Sequence, residues 1–318
     1  MSKYQDVIGS VLAPATFQKR TLEVIKEIEG ITKRRLLVYV ANFNHPASPI
    51  TFEDKTGFSD LIEDIDEQEV DILVNSPGGF AEVTEALVTM LRSKFSHIRF
   101  AIPNMAKSAA TLLCLSGNQL LMDHRSELGP TDPQISYPTN EGIKREAAED
   151  IIEGVNEVKR VLKEEGPEVI AAYVPLLSKY TMGLLRGCEN AKNLSETLSK
   201  DWLKLYMFAD KPSSRNPHKI KSFFASRSKT LSHTRAIGIE KCLKLKLNVI
   251  DLRKDENKQL GSKLWELWCL YELNFERAPE IYKIYQNSSG LMLTKSAGRR
   301  ALVVPPVKVV PKRNRQAR

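Results

Sequence analysis

Three apolar runs set the limits on how this chain can fold. RRLLVYVAN (Arg34–Asn42), VDILVN (Val70–Asn75) and HIRFAIP (His97–Pro103) are dominated by apolar residues with little polar alternation. Each is too short for a buried helix, so each is a strand, and a near-continuous apolar strand is covered on both faces. A short fourth strand follows at Asn118–Met122 (NQLLM). Helical spacing fills the intervals at Phe17–Gly30, Gly57–Ile65, Phe80–Leu91 and Ala106–Leu115. This alternation predicts an α/β fold: a largely parallel sheet with helices on both faces.

The pattern changes after Met122. SELGPTDPQISYPTN (126–140) has the Pro, Gly, Thr and Ser content of a loop. A long charged helix is predicted over Glu141–Glu165, with further helices to about Met207 and a loop over Asp210–His218. Arg235–Leu245 predicts a helix leading into a strand at Leu247–Leu252, with helix and short strands to about Thr294. No segment repeats. The expectation is one domain over residues 1–294, with a helical arm of about 141–209 inserted in it.

Charge adds one boundary. The net charge of +8 comes from a tail, residues 295–318, which holds eight basic and no acidic residues. Without it the 47 Lys and Arg fall to 39, equal to the 39 Asp and Glu. A neutral body argues against a dedicated nucleic-acid protein. The tail carries three prolines and is expected to be disordered, either solvated or in weak contact with nucleic acid or an acidic partner. The four cysteines (Cys114, Cys188, Cys242, Cys269) form no CxxC pair. They predict reduced, buried thiols in a cytoplasmic protein and no zinc site. No window has the ~18 apolar residues of a membrane span, the first residues lack a secretory signal, and no nucleotide-binding GxxxxGK[ST] is present.

Two motifs carry chemistry. NSPGG (Asn75–Gly79) follows a buried strand and precedes a helix, so its glycines expose backbone N–H groups suited to an oxyanion, or simply make a strand-to-helix turn. AKSAATLL (Ala106–Leu113) puts Ser108 after the next strand, at the carboxyl edge where open α/β sheets hold their sites. Ser108 is there a nucleophile or a helix cap. The Ala109 amide is a second oxyanion donor facing the Gly78-Gly79 turn.

In this order and spacing, NSPGG, AKSAATLL and SELGPTDPQI resemble the serine dehydrogenase proteinase family of the Clp protease/crotonase-like superfamily, related to signal peptide peptidase A. SHTRAIGIEKCLKLKLNVIDL (Ser232–Leu252) resembles that superfamily's closing helix and strand. The resemblance implies a Clp protease/crotonase-like fold and a serine peptidase acting on polypeptides. Ser108 would be the nucleophile and Gly78, Gly79 and Ala109 the oxyanion hole. It implies a homo-oligomer and no cofactor. Two departures are mild: Ala110 stands where the family has a glycine, and Thr131 interrupts an LGPIDPQ-like motif.

The general base is left between two residues. Lys144, placed by the sequence at the start of the long helix, would complete a Ser–Lys dyad if desolvation or nearby positive charge activated it. Lys159 lies deeper in that helix, and Lys107 is too close to Ser108 in sequence to point at it. His233, just before the closing helix, is the alternative base. Asp132 orients a base or makes a turn with Pro133, the turn being favoured. Two other functions fit the same fold: a crotonase-like enzyme acting on acyl thioesters, and an inactive oligomeric scaffold.

Overall fold

In the computed structural model, which describes residues 3–10, 14–139, 142–210 and 216–298, alternation along each central strand divides the core in two. After helices α1 (Lys3–Ser10) and α2 (Pro14–Thr32), strand β1 (Arg35–Ala41) turns Leu37 and Tyr39 to one side and Leu36, Val38 and Val40 to the other. Then come α3 (Asp54–Ile62), β2 (Glu69–Asn75), α4 (Ala81–Lys94), β3 (His97–Ala101), β4 (Met105–Ala106), α5 (Ala109–Leu115) and β5 (Gln119–Met122). Burial on both faces is the reason these strands carry apolar residues at consecutive positions.

The main sheet has seven strands. Past β6 (Glu127–Leu128), the hairpin β7 (Gln134–Thr139) and β8 (Gly142–Ala147), the chain makes α6 (Ala148–Glu165), α7 (Ile170–Leu177), α8 (Met182–Trp202), α9 (Pro217–Ala225) and α10 (Arg227–Thr230). It then returns through β9 (Ile237–Gly238), α11 (Ile239–Lys244), β10 (Val249–Asp251), α12 (Lys258–Arg277), β11 (Ile281–Gln286) and β12 (Met292–Ser296). The sheet order is β10-β5-β3-β2-β1-β11-β12. The first five strands are parallel and the last two antiparallel. Helices α3, α4, α5 and the end of α8 cover one face, and α2 and α12 the other. The expected parallel sheet is present, extended by an antiparallel pair.

Four boundaries differ from expectation. The predicted helix at Glu141 is a strand: β8 pairs with β7 from Gln134↔Ala147 to Thr139↔Gly142, and α6 begins only at Ala148. Ile135 and Tyr137, followed by Gly142 at φ 119°, favour a hairpin over a helix start. Helix α5 begins at Ala109 and α11 at Ile239, because Met105–Ala106 and Ile237–Gly238 pair with β6. The last strand reaches Ser296, so the basic segment from Lys295 opens inside the sheet; its residues 299–318 lie outside the described part. The arm is stitched to the body at both ends. Tyr137, Ala148, Ile151 and Cys188 make a small core of their own, while Leu198 and Trp202 of α8 join the main one.

One polar cluster is embedded in the apolar core. Lys283 of β11 and Asp54 of α3 are both fully buried, with Nζ 2.8 Å from Asp54 Oδ2 and 3.0 Å from Glu53 Oε1. The Tyr285 hydroxyl donates to Asp54 Oδ1 at 2.6 Å, and burial foremost keeps that hydroxyl protonated. Removing one charge alone would strand the other in the core, at about 3–5 kcal/mol.

Among the described residues no helix is long and apolar enough to cross a membrane. Leu73, buried at the centre of β2, gives a test of the two-sided core. Leu73→Ala is expected to lower unfolding free energy by about 2–5 kcal/mol, read as a reduced urea midpoint with an unchanged m-value.

Candidate active site

The site begins with Ser76, which the parallel β2–β3 edge leaves free to pair with the next segment. Its N–H donates to Met105 O and its carbonyl accepts from Lys107 N–H, both at 3.0 Å. Buried Asn75 braces the same crossing, donating to Ala41 O and accepting from Met105 N–H, each at 3.2 Å. These bonds lay NSPGG directly beside AKSAATLL.

Ser108 sits at this junction with φ 50° and ψ −121°. Such a conformation costs a residue with a Cβ about 1–3 kcal/mol and persists only where its surroundings impose it. The surroundings are visible. Ala110 N–H bonds Lys107 O at 2.9 Å, Leu112 N–H bonds Ser108 O at 3.2 Å, and the Thr111 hydroxyl bonds Ala106 O at 2.7 Å. Ser108 is the residue that caps α5, but its hydroxyl makes no capping bond and donates to no group among the described residues. The helix-cap alternative therefore accounts for its backbone and not for its side chain.

The glycines serve different purposes. Gly78 (φ 87°) lies so close to the serine loop that a Cβ there would meet Lys107 O at 2.4 Å, Ala109 N at 2.7 Å and Ser108 Cβ at 2.8 Å. Its own N–H is occupied by Ser76 Oγ at 3.2 Å. Gly79 is exposed, and neither its N–H nor that of Ala109 donates to any group among the described residues. The two open amides are thus Gly79 and Ala109, with Gly78 supplying the space between them.

Lys107 turns away from the serine. Its ammonium, largely buried, lies 2.6 Å from Glu127 Oε2 and 3.3 Å from Leu128 O, and so ties β4 to β6. Gly129 permits this, since a Cβ there would meet Lys107 Cδ at 2.9 Å.

Ser108 opens into a cleft of about 350 Å³, lined by Gly78, Gly79 and Phe80 on one side, by Thr131, Pro133 and Ile135, and by Leu194 and Ser195 of α8. His233 lines the same cleft. Its Nδ1 is 2.9 Å from Oδ1 of Asp132, a fully buried carboxylate whose Oδ2 accepts from Gln134 Nε2 at 2.8 Å. The Asp132 segment is fixed in turn by Thr131 N–H on Phe224 O at 2.8 Å and by Ser195 Oγ on Thr131 O at 2.7 Å. Ser108 and His233 thus line one cleft, with Asp132 behind the histidine.

Lys144 is elsewhere. It lies on β8, half exposed, with Nζ 2.5 Å from Glu146 Oε1, and it does not line the cleft. Arg145, next to it, does. Lys159, on α6, is exposed and outside the cleft. No cysteine competes as nucleophile: all four are buried free thiols, and burial pushes Cys242 and Cys269 up to about 12 and Cys114 higher still. The described residues hold no cluster of His, Cys, Asp and Glu suited to a metal ion.

The Asp132–His233 contact has no local signature in the sequence. The two residues are 101 positions apart, and TDP is ordinary turn composition.

A mostly parallel sheet with a strained serine at its carboxyl edge, flanked by two open amides, defines an α/β protein of the ClpP-like kind. The model of the ClpP-like SDH-type serine proteinase family matches residues 50–203, a little under half of the chain. The match includes Gly78, Gly79, Ser108 and Asp132; His233 lies beyond it. Two uncharacterized proteins of Methanocaldococcus jannaschii are similar over shorter stretches. One is 29% identical over 79 residues, 24% of this chain and 28% of its own. The other is 31% identical over 74 residues, 23% and 25%. The chain therefore spans about a quarter of the length of the curated relatives it matches. Two solved structures of mutants of the 1510-N membrane-bound stomatin-specific protease are each 16% identical. The serine-to-alanine mutant has a TM-score of 0.39, covering 67% of this chain and 79% of that one. The lysine-to-alanine mutant, in complex with a substrate peptide, has 0.37, covering 80% and 84%.

Gly78→Ala is the sharpest test of this geometry. The added methyl must displace the Ser108 loop, so the variant is expected to keep its far-ultraviolet circular dichroism while losing most of its labelling by a fluorophosphonate probe. Labelling at the wild-type rate would contradict the packing described.

Proposed function

We propose that this protein is a serine peptidase that hydrolyses polypeptides through an acyl-enzyme on Ser108. His233 is its general base, Asp132 orients that base, and the Gly79 and Ala109 amides bind the oxyanion. The observation that carries this reading is the His233–Asp132 pair in the cleft that Ser108 opens into. A buried carboxylate on Nδ1 holds the proton there and leaves Nε2 as the basic nitrogen, the arrangement that activates a serine. The Ser–His hydrogen bond of such sites commonly tightens only when substrate is bound.

Ser108 Oγ attacks the scissile carbonyl carbon as its proton passes to His233 Nε2. The carbonyl oxygen becomes an oxyanion and takes the Gly79 and Ala109 N–H groups, which no acceptor among the described residues occupies. Collapse breaks the C–N bond, and the leaving amine takes the proton from His233. Water then repeats the sequence: it gives His233 a proton, attacks the ester and releases the acid, and Ser108 recovers its proton. Two fixed donors aimed at developing charge form a large part of such catalysis, with each donor worth about 10²–10³ in turnover. The strain at Ser108 supports the peptidase over the acyl-thioester alternative, which gives the serine hydroxyl no task.

With Lys144 bound to Glu146 on the hairpin, His233 is the better candidate for the base. On a fluorogenic peptide, Ser108→Ala and His233→Ala are each expected to lower kcat by about 10⁶ and Asp132→Asn by about 10⁴. Lys144→Ala is expected to stay near wild type. Loss in Lys144→Ala with activity kept in His233→Ala would assign the base to the lysine instead.

A further inference from the structure

The buried Lys283–Asp54 pair lies outside the cleft, yet its hydrogen bonds lead into it. Asp54 Oδ2, which receives Lys283 Nζ at 2.8 Å, also accepts the N–H of Thr51 at 2.7 Å. Thr51 follows Ile50, whose N–H donates to Gly78 O at 2.7 Å and whose carbonyl accepts from Phe80 N–H at 3.0 Å. Ile50 therefore grips the chain on both sides of Gly79 and leaves the Gly79 N–H as the open donor. The fit is close: a Cβ on Gly79, at φ 157°, would meet Ile50 O at 2.2 Å and Ile50 N at 2.4 Å.

We propose that Lys283 and Asp54 are positioning residues for the oxyanion amide, acting through Thr51 and Ile50 to fix the orientation of the Gly79 N–H. This rests on the reading of Gly79 as an oxyanion donor. An apolar pair of similar volume fills such a core space at no loss of stability in many proteins, so filling the core does not require these charges. What an apolar pair lacks is an acceptor for the Thr51 N–H. Lys283 in turn fixes that acceptor: it occupies the carboxylate from β11 while Tyr285 holds Oδ1 at 2.6 Å. The antiparallel end of the sheet thereby sets the position of a donor at its carboxyl edge.

The test uses Asp54→Leu/Lys283→Met, which removes both charges and the acceptor, beside Asp54→Asn/Lys283→Met, which restores an acceptor oxygen. Tyr285→Phe is a milder third variant that removes only the Oδ1 partner. Peptide turnover, thermal melting and amide hydrogen exchange are measured on each. The Leu/Met variant is expected to melt within a few degrees of wild type. Its kcat should fall by about 10- to 100-fold, less than loss of a whole oxyanion donor, with KM unchanged and faster exchange at the Phe80 amide. The Asn/Met variant should recover most of the kcat and the protection. Tyr285→Phe should show a smaller change in the same direction. A folded Leu/Met variant with wild-type kcat and wild-type Phe80 protection would overturn the proposal, and if that variant does not fold, the same result in Tyr285→Phe would. Should wild type itself prove inactive, the peptidase reading fails, and Phe80 exchange still decides whether the pair anchors Ile50.

Discussion

Everything at this site depends on two backbone hydrogen bonds made by Ser76. They join the end of one parallel strand to the segment leaving the next, and so bring two loops that are far apart in sequence into register. Without that crossing, Ser108 would have no reason to adopt a left-handed conformation, and the Gly79 and Ala109 amides would not share a space. The hydrogen bonds also explain why Gly78 must lack a side chain: the loops are pressed together until only a hydrogen fits between them. The sheet provides the rigidity that sets the two loops at its carboxyl edge, where open α/β folds hold their sites.

The second organising contact is between the arm and the closing segment. Glu149 of α6 accepts from Lys192 Nζ at 2.8 Å and from the Arg227 N–H, and so links α6, α8 and the segment that leads to His233. With Ser195 on Thr131 O and Thr131 N–H on Phe224 O, the arm becomes one wall of the cleft as well as an insertion. His233 and Asp132 meet because three elements hold them there. This gives the helical region a physical purpose that its mixed charge does not suggest.

How much was legible in the sequence follows the range of the interactions. Strands buried on both faces announce themselves in consecutive apolar residues, so the parallel sheet was readable. NSPGG and AKSAATLL were readable as candidates because turn glycines and a serine at a strand end have local signatures. The hairpin at Gln134–Ala147 is not legible in the sequence, because a charged stretch such as EGIKREAAED is compatible with a helix until cross-strand pairing decides otherwise. Lys144 lost its helical position with that change. The Gly78 amide proved to be taken by Ser76 Oγ, a detail of two residues' geometry that composition cannot carry. Asp132 and His233 have meaning only together, and their encounter is a tertiary event.

The most direct test is a crystal structure of the protein after reaction with a peptidyl fluorophosphonate. One covalent bond is expected, from phosphorus to Ser108 Oγ. The phosphonyl oxygen should lie about 2.7–3.1 Å from both the Gly79 and Ala109 nitrogens, with His233 Nε2 within hydrogen-bond distance of Ser108 Oγ. An adduct on another residue, or an oxygen directed away from both amides, would contradict this mechanism.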